Sequence, residues 1–141
     1  MWWDLAQNPR IVLAYYNAPP QLCGVEVHSV LFHRDGPSLK LLVEMPCFPD
    51  KPSPRWPAGA NTAQARLRLF DLREVSLAGW STTNIGNLWV ETKDGAVRLQ
   101  FDCPTAQLTC IAGYFDVADI TGHIKETPNK PMHPSGGSAA S

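Results

Sequence analysis

Few side chains in this sequence have the type and spacing that metal chemistry requires. Its histidines and cysteines are ligands that zinc prefers, but the nearest spacings are His28 to His33 and Cys103 to Cys110. The first pair lies within one predicted strand and the second spans a strand break, so neither presents two ligands on one face of a known metal-binding unit. We therefore predict no metal site and no cofactor.

Residues for acid–base or nucleophilic catalysis are equally sparse. Asp116 and Asp119 lie three positions apart, which on a regular strand directs their side chains to opposite faces. We expect solvated strand ends there and not a carboxylate pair. The hydroxyl groups of residues 81–87 have no base near them in the sequence, and neither a phosphate-binding loop nor a Gly-x-Ser-x-Gly element occurs. The chain is predicted not to be an enzyme.

The composition of the chain limits the classes of partner that it is expected to bind. The 141 residues suit one domain, and 12 basic against 13 acidic residues leave a formal net charge of −1. Such a balance provides no extended positive electrostatic potential that would attract nucleic acid or anionic lipid. The opening MWWDLAQNPR has no basic segment before an apolar run, and the longest apolar runs are far shorter than the ~20 residues that span a bilayer. We predict a cytoplasmic protein with reduced thiols and no membrane or nucleic-acid partner.

The clearest structural signal is a hairpin in LWVETKDGAVRLQFD, where two alternating runs meet at an Asp-Gly pair, residues 94–95. Asp-Gly tolerates the positive φ angles of a two-residue loop, which determines the strand register. In that register Val90 faces Leu99 on the core side. The outer side presents three residues that could contact a partner: Trp89, Glu91 and Arg98.

Two elements precede this hairpin. Asn8 followed by proline is a helix-start signal, so we predict a short helix from Pro9 to Tyr16 with Asn8 as its cap. A second hairpin follows over residues 25–45. The inward-facing residues of its two strands stay opposite one another only if one extra residue, a β-bulge, lies near Ser29.

A proline-rich stretch, PCFPDKPSPRWPAG, separates the two hairpins and cannot form a central strand. We predict a long exposed loop. Its Arg55 and Trp56 are residue types that commonly anchor protein interfaces, although Trp56 could instead attach the loop to the domain by packing.

Later alternating runs complete the count of strands. Residues 63–69 and 75–80 are predicted to pair across a turn at 71–74, and residues 108–117 and 120–124 add further strand signal. Seven or eight strands with one short N-terminal helix indicate a mainly β fold, either an antiparallel β-sandwich or a strongly curved sheet. We expect one domain over residues 1–125 and a disordered tail over 126–141, where apolar periodicity is absent.

The order of these features resembles the immunity protein 50 family of bacterial polymorphic toxin systems. The resemblance covers residues 2–124: the early tryptophan and the Asn-Pro helix start, GVEVHSVLFHRDGPSLKLLVEM, the proline-rich link ending in RWP, ARLRLFDLREVSLAGW and the later hairpin. It implies a bacterial protein that binds and neutralises a cognate toxin inside the producing cell. It implies no catalytic residue.

The contact residues are predicted on physical grounds, since a few aromatic and arginine anchors carry most of the binding energy of an interface. The predicted set is Arg55, Trp56, Trp89, Glu91 and Arg98. The competing interpretation of Trp89 is a second core layer under Trp2, Trp3 or Tyr15.

Three other functions stay open. The main alternative is a small-ligand or carbohydrate-binding β-sandwich, in which Trp56, Trp80 and Trp89 form a stacking platform. A small enzyme would need a pocket of converging polar groups. Assembly through an open sheet edge would need an uncovered strand without prolines or charges. The sequence does not determine the oligomeric state.

Overall fold

The computed structural model describes residues 1–126 and contains six strands that form one closed, entirely antiparallel sheet. A 3-10 helix and one α-helix precede the strands. The elements are the 3-10 helix Trp2–Leu5, α1 (Arg10–Tyr15), β1 (Val25–His33), β2 (Ser38–Glu44), β3 (Thr62–Ala78), β4 (Ile85–Lys93), β5 (Ala96–Cys103) and β6 (Ala106–His123). Around the barrel the strand order is β1-β2-β3-β6-β5-β4. The tail predicted from residue 126 lies outside the described residues, apart from Glu126 itself.

The mainly β prediction is confirmed, but the predicted number of strands was wrong. Residues 63–80 were expected to form two strands, yet β3 runs unbroken for 17 residues, and β6 likewise runs for 18. The polar segment mistaken for a turn is a bend: Asp71 has a φ angle of 55° and the register with β6 shifts between Leu72 and Glu74. Bulges of this kind increase twist and curvature. The sheet therefore closes on itself instead of dividing into the two layers of a sandwich.

Both predicted hairpins are confirmed in register. Val90 pairs with Leu99 across the β4–β5 hairpin, and Asp94 and Gly95 have the positive φ angles of a two-residue loop, 51° and 78°. The β1–β2 register shifts between Val27 and Ser29, where the sequence predicted a bulge. The bulge makes His28 the extra residue of β1.

Alternating side chains of all six strands fill the barrel. The most deeply buried include Leu39, Leu67, Leu99, Phe101 and Phe115. Each such side chain contributes roughly 1.5–3 kcal/mol through burial of apolar surface. The N-terminal segment adds Val12 and Tyr16 to the same core.

The predicted helix is confirmed as α1, but the predicted role of Asn8 was wrong. The helix has no side-chain cap, and Asn8 instead hydrogen-bonds to the backbone of Val117. Its Nδ2 donates to the Val117 carbonyl at 2.8 Å, and its Oδ1 accepts from the Val117 N–H at 3.0 Å. The backbone N–H of Gln7 also donates to the carbonyl of Phe115. The N-terminal segment thus covers the edge of β6 that extends beyond β5.

The expectation that Asp116 and Asp119 face opposite sides was also wrong. The β3–β6 register shifts between Arg66 and Leu67, so one residue of β6 is extra and both carboxylates reach the outer face. Arg68 binds Asp116 through two hydrogen bonds of 2.8 and 2.6 Å, and Arg66 binds Asp119 at 2.8 Å. Arg66 and Arg68 of β3 are therefore both paired with carboxylates of β6.

Replacing Leu99 with alanine tests the assignment of the hairpin faces. Leu99 is fully buried between Val90 and Cys110, so Leu99→Ala should lower the free energy of unfolding by ~2–5 kcal/mol in urea denaturation. Lys93→Ala is the control because Lys93 is exposed in the same hairpin and should change stability by about 0.5 kcal/mol or less. Equal effects of the two changes would contradict the assigned faces.

Candidate protein-binding surface

The outer face of the β4–β5 hairpin presents Trp89, Glu91 and Arg98. Trp89 is 49% exposed because its neighbours in the strand alternate into the barrel. Arg98 Nη1 donates a hydrogen bond of 3.0 Å to Glu91 Oε2 on the paired strand. The interpretation of Trp89 as a second core layer is therefore wrong, and these three predicted residues do share one face.

Trp89 lines an apolar groove of about 360 Å³ beside this face. The other side of the groove is formed by residues 19–23, which run along β4 because the Leu88 N–H donates to the carbonyl of Leu22 at 2.9 Å. Trp2 also lines the groove and is held by a hydrogen bond from its Nε1 to the Pro20 carbonyl. An apolar floor with a charged residue, Glu91, at its margin has the composition of a protein interface.

Trp56 lies in a different environment. Its ring stacks on Tyr15 with a centroid separation of 5.2 Å and an interplanar angle of 8°, and its edge meets Phe48. Gly122 of β6 lies so close to the Trp56 ring that a Cβ atom at this position would collide with it. The structure therefore favours the packing role for Trp56.

The proline-rich loop is held at further points. The Tyr16 hydroxyl donates to the Cys47 carbonyl at 2.6 Å, and Lys51 Nζ donates to the Leu13 carbonyl at 2.8 Å. Burial raises the pKa of Tyr16, so this hydroxyl stays protonated and remains a donor. Of the two contact residues predicted in this loop, Arg55 is the exposed one. Neither Arg55 nor Trp56 lines the groove of Trp89.

Trp80 lies in a third environment. It is 45% exposed and lines a groove of about 460 Å³ with Phe32 and Leu77, at the far ends of β1 and β3. The three tryptophans proposed as a stacking platform for carbohydrate thus line three separate depressions of the surface.

A cluster of Glu26, His28 and Glu44 was missed by the sequence reasoning. Glu26 and Glu44 are directly paired across β1 and β2, and the bulge turns His28 toward them. Their ligand atoms lie within 4.8 Å of one another, which is close enough to share a metal ion. Lys125 already supplies a positive charge, since its Nζ donates to Glu44 Oε2 at 3.0 Å. The predicted bulge was the available signal, because it removes His28 from simple alternation.

The same contacts decide the ionisation of Glu44. Burial by itself raises the pKa of Glu44, but hydrogen bonds and charges from Lys125 and His28 outweigh it and hold the pKa below its ordinary value of 4.5. His28 Nε2 lies 3.2 Å from Glu44 Oε1. The hydrogen bond to Glu44 conversely raises the pKa of Lys125.

All four cysteines are free thiols in the structure, with Cys23 and Cys47 exposed and Cys103 and Cys110 buried. Burial raises the pKa of Cys110 to about 12. None of the helices described within residues 1–126 has the length and apolar character needed to cross a membrane.

A family model described as Immunity protein 50 matches residues 8–123, which include α1 and all six strands. The chain belongs to the immunity protein 50 family. The resemblance drawn from the order of sequence features is therefore confirmed. Comparisons with curated proteins and with solved structures gave no match. Both Trp56 and Trp89 lie within the matched residues.

The two tryptophans should differ in their effect on stability. Trp56→Ala removes a stacked ring that fills the space over Gly122, so we expect the free energy of unfolding to fall by about 2 kcal/mol or more. Trp89→Ala removes a half-exposed side chain and should cost about 1 kcal/mol or less. Thermal and urea denaturation of both variants check this. A larger loss for Trp89→Ala would reverse the two assignments.

The ionised form of Glu44 should stabilise the fold in a pH-dependent way. Because its folded-state pKa is depressed, this stabilisation is present above pH 4.5 and is lost as the pH falls through the folded pKa. Lys125→Met should therefore lower stability at pH 7, and the difference from the wild type should shrink below pH 4.5 as Glu44 becomes protonated. Urea denaturation as a function of pH measures both.

Lys93→Met is the matched control for that experiment, since Lys93 is exposed and forms no ion pair within residues 1–126. A Lys125→Met difference that persists unchanged at low pH would show that Lys125 acts by packing and not through the charge of Glu44.

Proposed function

We propose that this chain binds and neutralises a cognate bacterial toxin in the cytoplasm of the producing cell, without catalysis. The observation that carries the proposal is the family match over residues 8–123. Inhibition by binding requires a rigid scaffold and a contact surface, and it requires no reacting groups. The closed barrel supplies such a scaffold.

The groove of Trp89 is the proposed contact surface. A tryptophan buries 150–250 Å² when fully covered, so a half-exposed ring offers roughly 100 Å² to a partner. At about 25 cal/mol per Å², its burial contributes about 2–3 kcal/mol of binding free energy, the scale of an interface hot spot. The flat indole above an apolar groove suits an apolar or aromatic side chain of the toxin.

Glu91 and Arg98 are proposed to orient the toxin at the margin of this groove. Their cross-strand hydrogen bond holds both side chains, so less conformational entropy is lost on binding. Arg98 retains further N–H donors for an acceptor on the toxin. Arg55 stays a proposed contact only if the toxin also reaches the proline-rich loop, because it does not line the groove.

Electrostatic steering has a small part in this proposal. The formal net charge of −1 supplies no strong field, so affinity depends on local burial and not on long-range attraction. A partner of either charge sign is compatible with the groove.

Small-ligand binding is the second candidate because the groove volume of about 360 Å³ lies within the range of small-molecule sites. In that case Trp89 would stack on a ligand ring instead of a toxin side chain. The stacking platform of three tryptophans is no longer part of this alternative, since the three line separate depressions.

Co-expression with the product of the adjacent upstream reading frame tests the proposal. We expect that product to arrest growth alone, and we expect wild-type co-expression to restore survival and yield a complex that co-purifies. In calorimetric titration, Trp89→Ala should then raise the dissociation constant about 30-fold, which corresponds to a loss of about 2 kcal/mol of binding free energy.

Ile124→Ala is the control, because Ile124 is exposed and apolar but does not line the groove. If the wild type neither rescues growth nor binds, the immunity function fails. If it rescues growth while Trp89→Ala binds equally well, the function stands and the proposed surface is wrong.

A further inference from the structure

The barrel closes through a short seam between its first and fourth strands. In the described part of the chain, β1 pairs with β4 only at Val25↔Gly86 and Glu26↔Ile85. Beyond the bulge at His28, residues 29–33 of β1 pair with β2 on one side and with no strand of residues 1–126 on the other. This segment is an open strand edge with unpaired backbone groups.

The open edge is short and follows a bulge, but it lacks the other features that usually protect an edge. Proline, charged side chains and inward-facing charges discourage pairing with another chain, yet Ser29, Val30, Leu31 and Phe32 include none of these. Leu31 is 50% exposed on one face of the strand, and Phe32 is 48% exposed on the other. The bulge at His28 precedes this segment and leaves it regular.

A second open edge lies nearby. β2 ends its pairing with β3 at Ser38↔Phe70, so β3 continues from Leu72 to Ala78 with β6 as its one partner strand within the described residues. Leu77 of that segment and the adjacent Trp80 line the groove of about 460 Å³ together with Phe32. An added strand at the β1 edge would therefore contact these apolar side chains.

Apolar exposure is concentrated at this end of the barrel. Of the large hydrophobic side chains that are exposed within residues 1–126, those at or beside the two open edges are Leu31, Phe32, Val75, Leu77, Trp80 and Ile85. Phe32, Leu77 and Trp80 share one groove, and exposed apolar patches of this kind mark interaction sites. It is distinct from the Trp89 groove, whose lining it does not share.

We infer that residues 29–33 of β1 pair in antiparallel orientation with the same residues of a second copy of this chain, forming a two-fold symmetric dimer. An antiparallel pair of identical strands has two-fold symmetry, so one patch serves both copies. Ser29 to Phe32 carry no charge, and therefore no like charges oppose one another across the pair. The formal net charge of −1 adds little repulsion between copies. This inference does not rest on toxin binding.

Sedimentation velocity of the full chain from about 1 to about 200 μM tests the dimer, a range that covers micromolar dissociation constants. We expect the wild type to shift from monomer to dimer as concentration rises. Leu31→Lys places two charges at the pair and should weaken association at least tenfold. Because Leu31 is half exposed on the outer face, circular dichroism should show an unchanged fold.

Ile124→Lys is the matched control, since it adds the same charge to another exposed apolar residue outside the edge. It should leave association unchanged. Backbone amide exchange of the wild type provides a readout without any variant: residues 29–33 should exchange more slowly at high than at low concentration.

Three results would overturn the inference. They are a wild type that stays monomeric over the whole range, a dimer that Leu31→Lys leaves intact, and equal weakening by both lysine variants. In the first case, loss of toxin binding with Leu31→Lys would assign the edge to the toxin.

Discussion

The long antiparallel pairing of β3 with β6 is the interaction on which the rest of the structure depends. It extends from Thr62↔His123 to Ala78↔Gln107. β2 and β5 pair with this ribbon directly, and β1 and β4 are attached through those two strands. β2 pairs with the first half of β3, and β5 pairs with the first half of β6. The two register shifts bend this ribbon, so that the attached hairpins meet and enclose one core.

That arrangement leaves strand edges that must be satisfied in other ways, because buried backbone groups without partners are costly. Gln7 and Asn8 cover the edge of β6, and the Leu22 carbonyl accepts from β4. Gly86 permits the close approach of β4 to β5, since a Cβ atom there would collide with the Asp102 carbonyl of β5. Leu31, Phe32 and Leu77 stay exposed at the edges of β1 and β3 that these segments do not reach.

The bulges also determine which charged side chains lie next to one another. An extra residue in β6 brings Asp116 and Asp119 to the same face, where Arg68 and Arg66 bind them. The extra residue in β1 brings His28 toward Glu44, which then depends on Lys125 as well for its charge compensation. In both places one inserted residue converts a simple alternation into a charge cluster.

Short sequence patterns were enough to specify several structural elements. Asp94-Gly95 specified the register of β4 with β5, and the broken alternation around Ser29 specified the bulge in β1. The outward direction of Trp89 followed from that register, because side chains alternate along a strand. The order of these local features was also sufficient to indicate the family.

Other features depend on contacts between distant parts of the chain and were not predictable from local patterns. The segment 71–74 has the composition of a turn, but pairing with β6 keeps it within one strand. Asn8 precedes a helix as a cap residue would, yet the uncovered edge of β6 offers its amide two hydrogen bonds at once. Trp56 and Trp89 are equally plausible anchors in the sequence, and they differ only because Tyr15 and Gly122 happen to lie against one of them. Such choices depend on contacts between residues far apart in the chain, which local patterns do not encode.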